Sequence, residues 1–402
     1  MNELSHASAA PRSHVRAADA GRRPTGGSSS GGFLLHAVFI ALSLAALLWV
    51  LLSVHPGTGS AAVTGQKSVF DASARVDRFV TNAAGTALDG IAVIKKVYTI
   101  PETDLVAPRP NEAMFGETTD PAVIQAVIDS AGELLDGQEL IWSPDIDFME
   151  GSVMRYYCDD TILAICWKEG IDHCAVSFCE IKVAHGSQLR RALAGNSYGS
   201  SVQLRASDMA KTANAVVAIN GDFYDYRRLG ITVYQRKVYR VMPAKVESCF
   251  FTADGDMLFS HMKELGGDGE AQAFVNEHDV VFGVAFGPIL VENGELRQVR
   301  DYPVGEPNNQ YSRSIIAQKD KLHYLLMTIG QEGAYTHRTT INEAAKIIHA
   351  RGVQSAYTLD GGQTSTLVFR GEPFNRVDWD FERTMSDIIY FATAIPEEEW
   401  QS

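Results

Sequence analysis

The sequence predicts an α+β fold, a mixed sheet with interspersed helices, preceded by one N-terminal transmembrane helix. Three observations carry this. From about residue 152 onward, short apolar runs rich in Val, Ile, Phe and Tyr recur between polar turns, the pattern of many strands. Helical spacing appears in only a few places, without strict strand–helix alternation. Residues 33–54, FLLHAVFIALSLAALLWVLLSV, run 22 positions with His36 as their one strongly polar side chain. At about 1.5 Å rise per residue, that run spans a roughly 30 Å hydrocarbon core.

Residues 1–32 are rich in Ser, Gly, Ala and Arg and read as a disordered cytoplasmic arm. The apolar run that follows is longer than the ~7–15 residues of a cleaved signal, so it reads as an uncleaved anchor. Arg12, Arg16, Arg22 and Arg23 precede it, and only Lys67 follows closely. The positive-inside rule then puts the N-terminus in the cytoplasm and the rest outside. The expected location is the cell membrane, single-pass, with the C-terminal domain extracellular. Residues 55–150 are a spacer and membrane-proximal extension, Gly-, Ser-, Ala- and Thr-rich at first. One helix stands out there: Asp120 caps it, Pro121 takes the first position, and Gly137 ends it. Its apolar face carries Val123, Ile124, Val127, Ile128, Leu134 and Leu135.

The main domain is expected over residues 151–398. RYYCDD, TILAICWK and HCAVSFCEIKV read as consecutive strands. Short helices are expected near 187–194 and 206–213, and a buried strand, AVVAIN, at 215–220. Further strands are expected at 231–240, 249–260, 280–292 and in DKLHYLLMTI. A helix over 340–351 is well signalled: Thr340 and Glu343 form a capping box, and Gly352 lies just past the end. The strand leading to Asp360 comes next.

Net charge is −14, which argues against a nucleic-acid partner. The five cysteines, Cys158, Cys166, Cys174, Cys179 and Cys249, fit no zinc spacing. One disulfide within the 158–179 hairpin is compatible with them. No G-x-S-x-G, phosphate-binding loop or H-E-x-x-H is present.

The residues that suit chemistry stand at strand ends. In AVVAINGDFYDYRRLG a buried strand ends at Asn220-Gly221, then come Asp222, Phe223, Tyr224, Asp225 and two arginines. Aromatic faces beside amides and carboxylates suit a sugar ring; Asn-Gly is equally a common hairpin turn. Gly287 breaks the apolar run AFGPILVENGEL. Arg313 enters a strand in YSRSIIAQ, where a planar guanidinium either is solvated or clamps an anion. In YTLDGGQTSTLVF, Asp360 ends a buried strand. Gly361 and Gly362 allow close backbone approach, and Thr364, Ser365 and Thr366 add hydroxyls. Glu382 and Arg383 precede the last apolar strand.

In this order the segments resemble the phosphodiester glycosidase family, the family of the "uncovering enzyme", with bacterial exopolysaccharide-biosynthesis relatives. The resemblance covers about 195–395. It rests on Asn220-Gly221 with Phe223-Tyr224, Arg313-Ser314, Asp360-Gly361-Gly362-Gln363-Thr364, and Arg383 with Ser386. Three departures stand out: Asp222 replaces a glycine, Gln363 and Thr364 replace Gly and Ser, and Ile329-Gly330 replaces an Asp-Gly pair.

The resemblance implies hydrolysis of a sugar-1-phosphodiester on the glycosidic side. It casts Asp360 as nucleophile or base, with Asp222 as second carboxylate and Asn220 beside them. Arg313, Arg383, Gly361, Gly362, Thr364 and Ser365 would hold substrate, with Phe223, Tyr224 and Gly287. No cofactor is implied. The expected partner is a sugar-1-phosphodiester or cell-surface glycopolymer. Two other readings remain: a non-catalytic polysaccharide-binding or assembly protein, and a phosphodiesterase using a divalent cation gathered by Asp222, Asp225 and Asp360.

Overall fold

The computed structural model describes residues 96–400. The arm, the apolar run and the start of the extension lie outside the described residues. No described helix is long and apolar enough to cross a membrane.

Among the described residues, three sheets make up the fold. The largest has nine strands, in spatial order Phe115–Thr118, Met154–Cys158, Ile162–Ile171, Cys174–Val183, His323–Gly330, Arg313–Asp320, Ser355–Thr358, Ile289–Glu292 and Glu295–Leu296. A five-stranded sheet runs Met257–Ser260, Ser248–Thr252, Val280–Val284, Gly230–Tyr234, Lys237–Met242. A second five-stranded sheet runs Glu372–Pro373, Leu367–Phe369, Val217–Asn220, Asp387–Phe391, Leu189–Leu193.

The two-residue period of the long strands explains the layering. Leu163, Ile165, Trp167, Val176 and Phe178 face one side of the large sheet. There they pack with Ile124 and Leu135 of the 121–135 helices and with Ile341, Ala344 and Ile348 of helix Ile341–His349. Ile162, Ala164, Cys166, Cys179 and Ile181 face the other side, against Val217, Ile219 and Ile389 of one small sheet and Phe251 and Phe282 of the other. Helix Ala206–Thr212 covers the sheet containing Val217–Asn220, and helix Glu270–Glu277 covers the other small sheet.

The α+β class holds, but the paired strands all run antiparallel, so the sheets are not mixed in direction. The runs at 231–240 and 249–260 each fold back into two paired strands, because a turn interrupts each; the run at 280–292 also divides, but Val280–Val284 joins a five-stranded sheet and Ile289–Glu292 the nine-stranded one. The helix expected at 187–194 is absent. A single 3-10 turn, Gly186–Gln188, leads into strand Leu189–Leu193. Leu189, Arg191 and Leu193 are its buried positions, a period of two rather than a helical one. The helix starting at Pro121 breaks at Ala131 and resumes for one turn, Gly132–Leu135; Val123, expected on its apolar face, is exposed. The capping box of Thr340 and Glu343 is formed. Cys166 and Cys179 face each other across adjacent strands and form a disulfide. The described part of the extension is bound to the large sheet by Glu180. Its buried carboxylate accepts the N–H groups of Ile141 and Trp142 at 2.6 and 2.8 Å, and lies 2.7 Å from His323 Nε2.

Two sheets meet end to end where the site forms. Asn220 ends the central strand of one, and Asp360 follows strand Ser355–Thr358 of the other. The Asp360 N–H donates to Gly221 O at 3.2 Å, and the Asn220 N–H to Thr366 O at 3.1 Å.

Candidate functional site

Asn220 is the joint. Its buried amide donates to Asp360 O at 2.7 Å and to Gly221 O at 3.1 Å. Its Oδ1 accepts from Ser314 Oγ at 2.7 Å and from the Thr366 N–H at 3.1 Å. That fills the amide's capacity, so Asn220 holds the turn that carries Asp360 rather than facing a ligand. Ser365 Oγ donates to Arg313 O at 3.0 Å and ties the same turn to the neighbouring strand. The glycines allow this. A Cβ on Gly361 would lie 2.6 Å from Ser312 O, and Gly362, at φ +62°, donates its N–H to that carbonyl at 2.7 Å. The Gly362 amide, expected at an anion, is therefore engaged within the fold.

Asp360 itself is only 7% exposed, and Thr364 Oγ1 donates to its Oδ2 at 2.7 Å. Burial pushes its carboxyl above the ordinary range. The Thr364 hydroxyl, the charges of Arg227 and Arg383 and the Gly361 N–H pull the other way. Both arginines are backed by rings. The Arg383 guanidinium carbon lies 5.0 Å from the Phe223 ring centre and 5.6 Å from that of Tyr226, and Arg227 lies 5.0 Å from Phe286. Among the described residues, neither guanidinium makes a hydrogen bond or an ion pair. The result is a sequestered carboxylate beside two cations whose donors are open to a ligand.

Phe223 is placed by a second, fully buried group. Its backbone takes the left-handed conformation, φ +51°, and its N–H donates to Asp387 Oδ1 at 3.1 Å. A Cβ on Gly221 would collide with Asp387 Oδ2. Arg191 binds Asp387 through Nε at 3.0 Å and through Nη2 at 2.8 Å, and Nη2 also reaches Asp222 Oδ1 at 2.7 Å. Its Nη1 donates to Gly283 O at 2.6 Å, and Asp222 Oδ2 accepts the Ala285 N–H at 2.6 Å. Asp222, expected as the second carboxylate of the reaction, is thus enclosed with a buried arginine and takes no place facing Asp360. Burial raises the Asp387 carboxyl, against the pull of Arg191.

Three other expected residues take structural places. Arg313 is buried, and its guanidinium donates to the carbonyls of Gly305 (2.7 Å), Glu306 (3.2 Å), Asn309 (2.6 Å) and Thr339 (3.2 Å). It closes the 305–309 loop and does not present a fork to an anion. Tyr224 turns away from Phe223 into a cluster with Leu193, Tyr234 and Tyr198. Gly287 donates its N–H to Thr358 O at 3.2 Å beneath Tyr302. Ile329, where a carboxylate was expected by resemblance, is buried in the core opposite Arg313 and Val176. No three His, Cys, Asp or Glu side chains among the described residues gather to hold a metal ion.

The sequence reading did not single out Arg191, Asp387 or Arg227. Arg191 was traceable in the alternation of LRRAL. Arg227 stood in the same stretch as Phe223, four residues on.

Residues 213–392 match the family model of the phosphodiester glycosidases. No curated protein matches the chain. Among solved structures, the catalytic domain of zebrafish N-acetylglucosamine-1-phosphodiester α-N-acetylglucosaminidase, auto-inhibited by its pro-peptide, is similar at 16% identity. That match covers 62% of this chain and 86% of that one, with a TM-score of 0.48. A hypothetical Synechocystis protein is similar at 14% identity, covering 60% of this chain and 64% of that one, TM-score 0.46. An exported protein of Burkholderia pseudomallei is similar at 12% identity, covering 57% and 74%, TM-score 0.37.

Proposed function

With residues 213–392 assigned to the phosphodiester glycosidase family, we propose that this domain hydrolyses sugar-1-phosphodiesters at the bond between the anomeric carbon and oxygen. The observation that carries the proposal is the buried Asp360 carboxylate beside two ring-backed guanidinium groups with free donors. A phosphodiester is an anion with equivalent oxygens, which a planar guanidinium matches two at a time. Arg227 and Arg383 hold it, and Phe223 and Tyr226 support Arg383.

In this reading the C1–O bond breaks and its electron pair leaves with the phosphate, which becomes a phosphomonoester. The two arginines take up the charge that develops there. A water oxygen ends on C1, and the water supplies one proton to the new hydroxyl and one to the medium. Ionised Asp360 acts on the sugar side, as nucleophile or as the base that activates water. A phosphate leaves readily, so a second carboxylate as acid is not required, in keeping with Asp222 being engaged by Arg191. The membrane anchor at 33–54 and an outward-facing domain belong to the same proposal, and protease shaving of intact cells tests them. The reaction is tested by incubating the purified protein with a methyl N-acetylglucosamine-1-phosphodiester. Free sugar and methyl phosphate are expected. Release of sugar phosphate would mean cleavage on the phosphorus side and would overturn the proposal.

A further inference from the structure

Beyond the carboxylate and its two arginines, one stretch of surface is built unlike the rest. The 378–380 turn packs against the Gly362–Thr364 turn that follows Asp360. Asp378 Oδ1 accepts from Ser312 Oγ at 2.9 Å, and the Ser312 carbonyl accepts the Gly362 N–H. On this turn Trp379 is 75% exposed, and Phe381, two residues on, is 61% exposed. The next residue, Glu382, is turned inward, since its carboxylate accepts the Ser207 N–H and hydroxyl. Phe381 and Arg383 flank Glu382 on the same short segment, Phe381 exposed and Arg383 partly so. Arg383 stacks on Tyr226, itself 67% exposed. Along the chain, Trp379 and Phe381 thus lead in a row to Arg383 and, through its ring contact, to Tyr226, beside the turn that follows Asp360.

The charge of that row is set by the reacting centre. Arg338 pairs with Asp378 and Arg376 with Asp380, so Arg383, which makes no ion pair among the described residues, is the open cation of the row, with Arg227 near it at Asp360. A group of exposed large rings marks a candidate contact surface. Flat rings suit the apolar C–H faces of successive sugars, and intervening cations suit the phosphates that join them.

We propose that this row is a platform for a chain of sugars linked through phosphodiesters, so that the enzyme acts on a polymer rather than on a small diester. The inference rests on the hydrolase reading for its substrate, but the platform can be measured without turnover. The full-length protein and the variants Trp379→Ala, Phe381→Ala and the double variant are compared on poly(N-acetylglucosamine 1-phosphate) and on the methyl diester. The double variant is expected to lose about tenfold in kcat/KM on the polymer, mainly through KM. Its kcat/KM on the methyl diester should stay within about twofold of the parent. Equal losses on both substrates, or no loss on the polymer, would overturn the platform. In parallel, retardation of each protein in native gels containing the polymer measures binding alone. If the parent cleaves neither substrate, the hydrolase reading fails. Retardation of the parent that is lost in the double variant would still support the platform, and absence of retardation in the parent would overturn it.

Discussion

Replacing Arg383 with alanine separates substrate binding from folding more cleanly than any other change in the site. Its guanidinium makes no hydrogen bond or ion pair among the described residues, and its contacts are the rings of Phe223 and Tyr226. Losing two cation–ring contacts, each worth about 0.5–1 kcal/mol near the surface, costs up to about 2 kcal/mol of stability. Losing one charge-assisted hydrogen bond to a phosphodiester oxygen costs about 1.5–3 kcal/mol. At about 1.4 kcal/mol per tenfold, that is a fall of roughly 10- to 150-fold in kcat/KM. The assay compares parent and variant on the methyl phosphodiester and on a neutral aryl N-acetylglucosaminide, with urea denaturation of both proteins. The phosphodiester should suffer, the neutral glycoside should not, and unfolding stability should fall by no more than about 2 kcal/mol. An equal fall on both substrates would refute a phosphate role for Arg383. So would a loss of stability large enough to explain the fall.

Further expectations follow from the same geometry. Arg313→Met strips four carbonyls of their donor and should cost at least about 3 kcal/mol in urea denaturation; a stable variant with weakened phosphodiester binding would restore Arg313 as an anion clamp. Arg191→Met leaves Asp222 and Asp387 buried without their cation and should cost about 3–5 kcal/mol. Adding Asp222→Asn and Asp387→Asn should recover part of that in the same measurement. For pH, burial raises the Asp360 carboxyl, so at a given acidic pH more of it is protonated than of an ordinary carboxylate. If the ionised form works, kcat/KM falls on acidification through a limb lying above the ordinary value of roughly 4. Thr364→Ala removes the 2.7 Å hydrogen bond that favours ionisation, so the limb should move higher still. A limb that moves lower would contradict the assignment.

The parts legible in the sequence are those whose signals are local. The capping box of Thr340 and Glu343 lies within four residues, and helix Ile341–His349 begins where it predicts. Asn220 and Asp360 were readable as strand ends, because an apolar run followed by Asn-Gly or Asp-Gly-Gly marks one. What could not be read depends on pairings distant in the chain. Asp222 looks like a free carboxylate until strand Leu189–Leu193 pairs with Asp387–Phe391 and delivers Arg191 to it. Arg313 and Arg227 look alike as residues. Which one stays open is decided by the 305–309 loop, whose carbonyls close on Arg313. Strand direction was unreadable for a related reason. The helix between His323–Gly330 and Ser355–Thr358 suggests a parallel neighbour, yet the second strand pairs with Arg313–Asp320 instead.

The central claim concerns which bond of the phosphodiester breaks, and isotopic water reads it directly. Hydrolysis of the methyl N-acetylglucosamine-1-phosphodiester in 18O-labelled water, stopped before the free sugar exchanges its anomeric oxygen, should place the label on the C1 hydroxyl and leave the methyl phosphate unlabelled. Asp360→Asn should abolish that product. Label in the phosphate would show attack at phosphorus and would contradict the account.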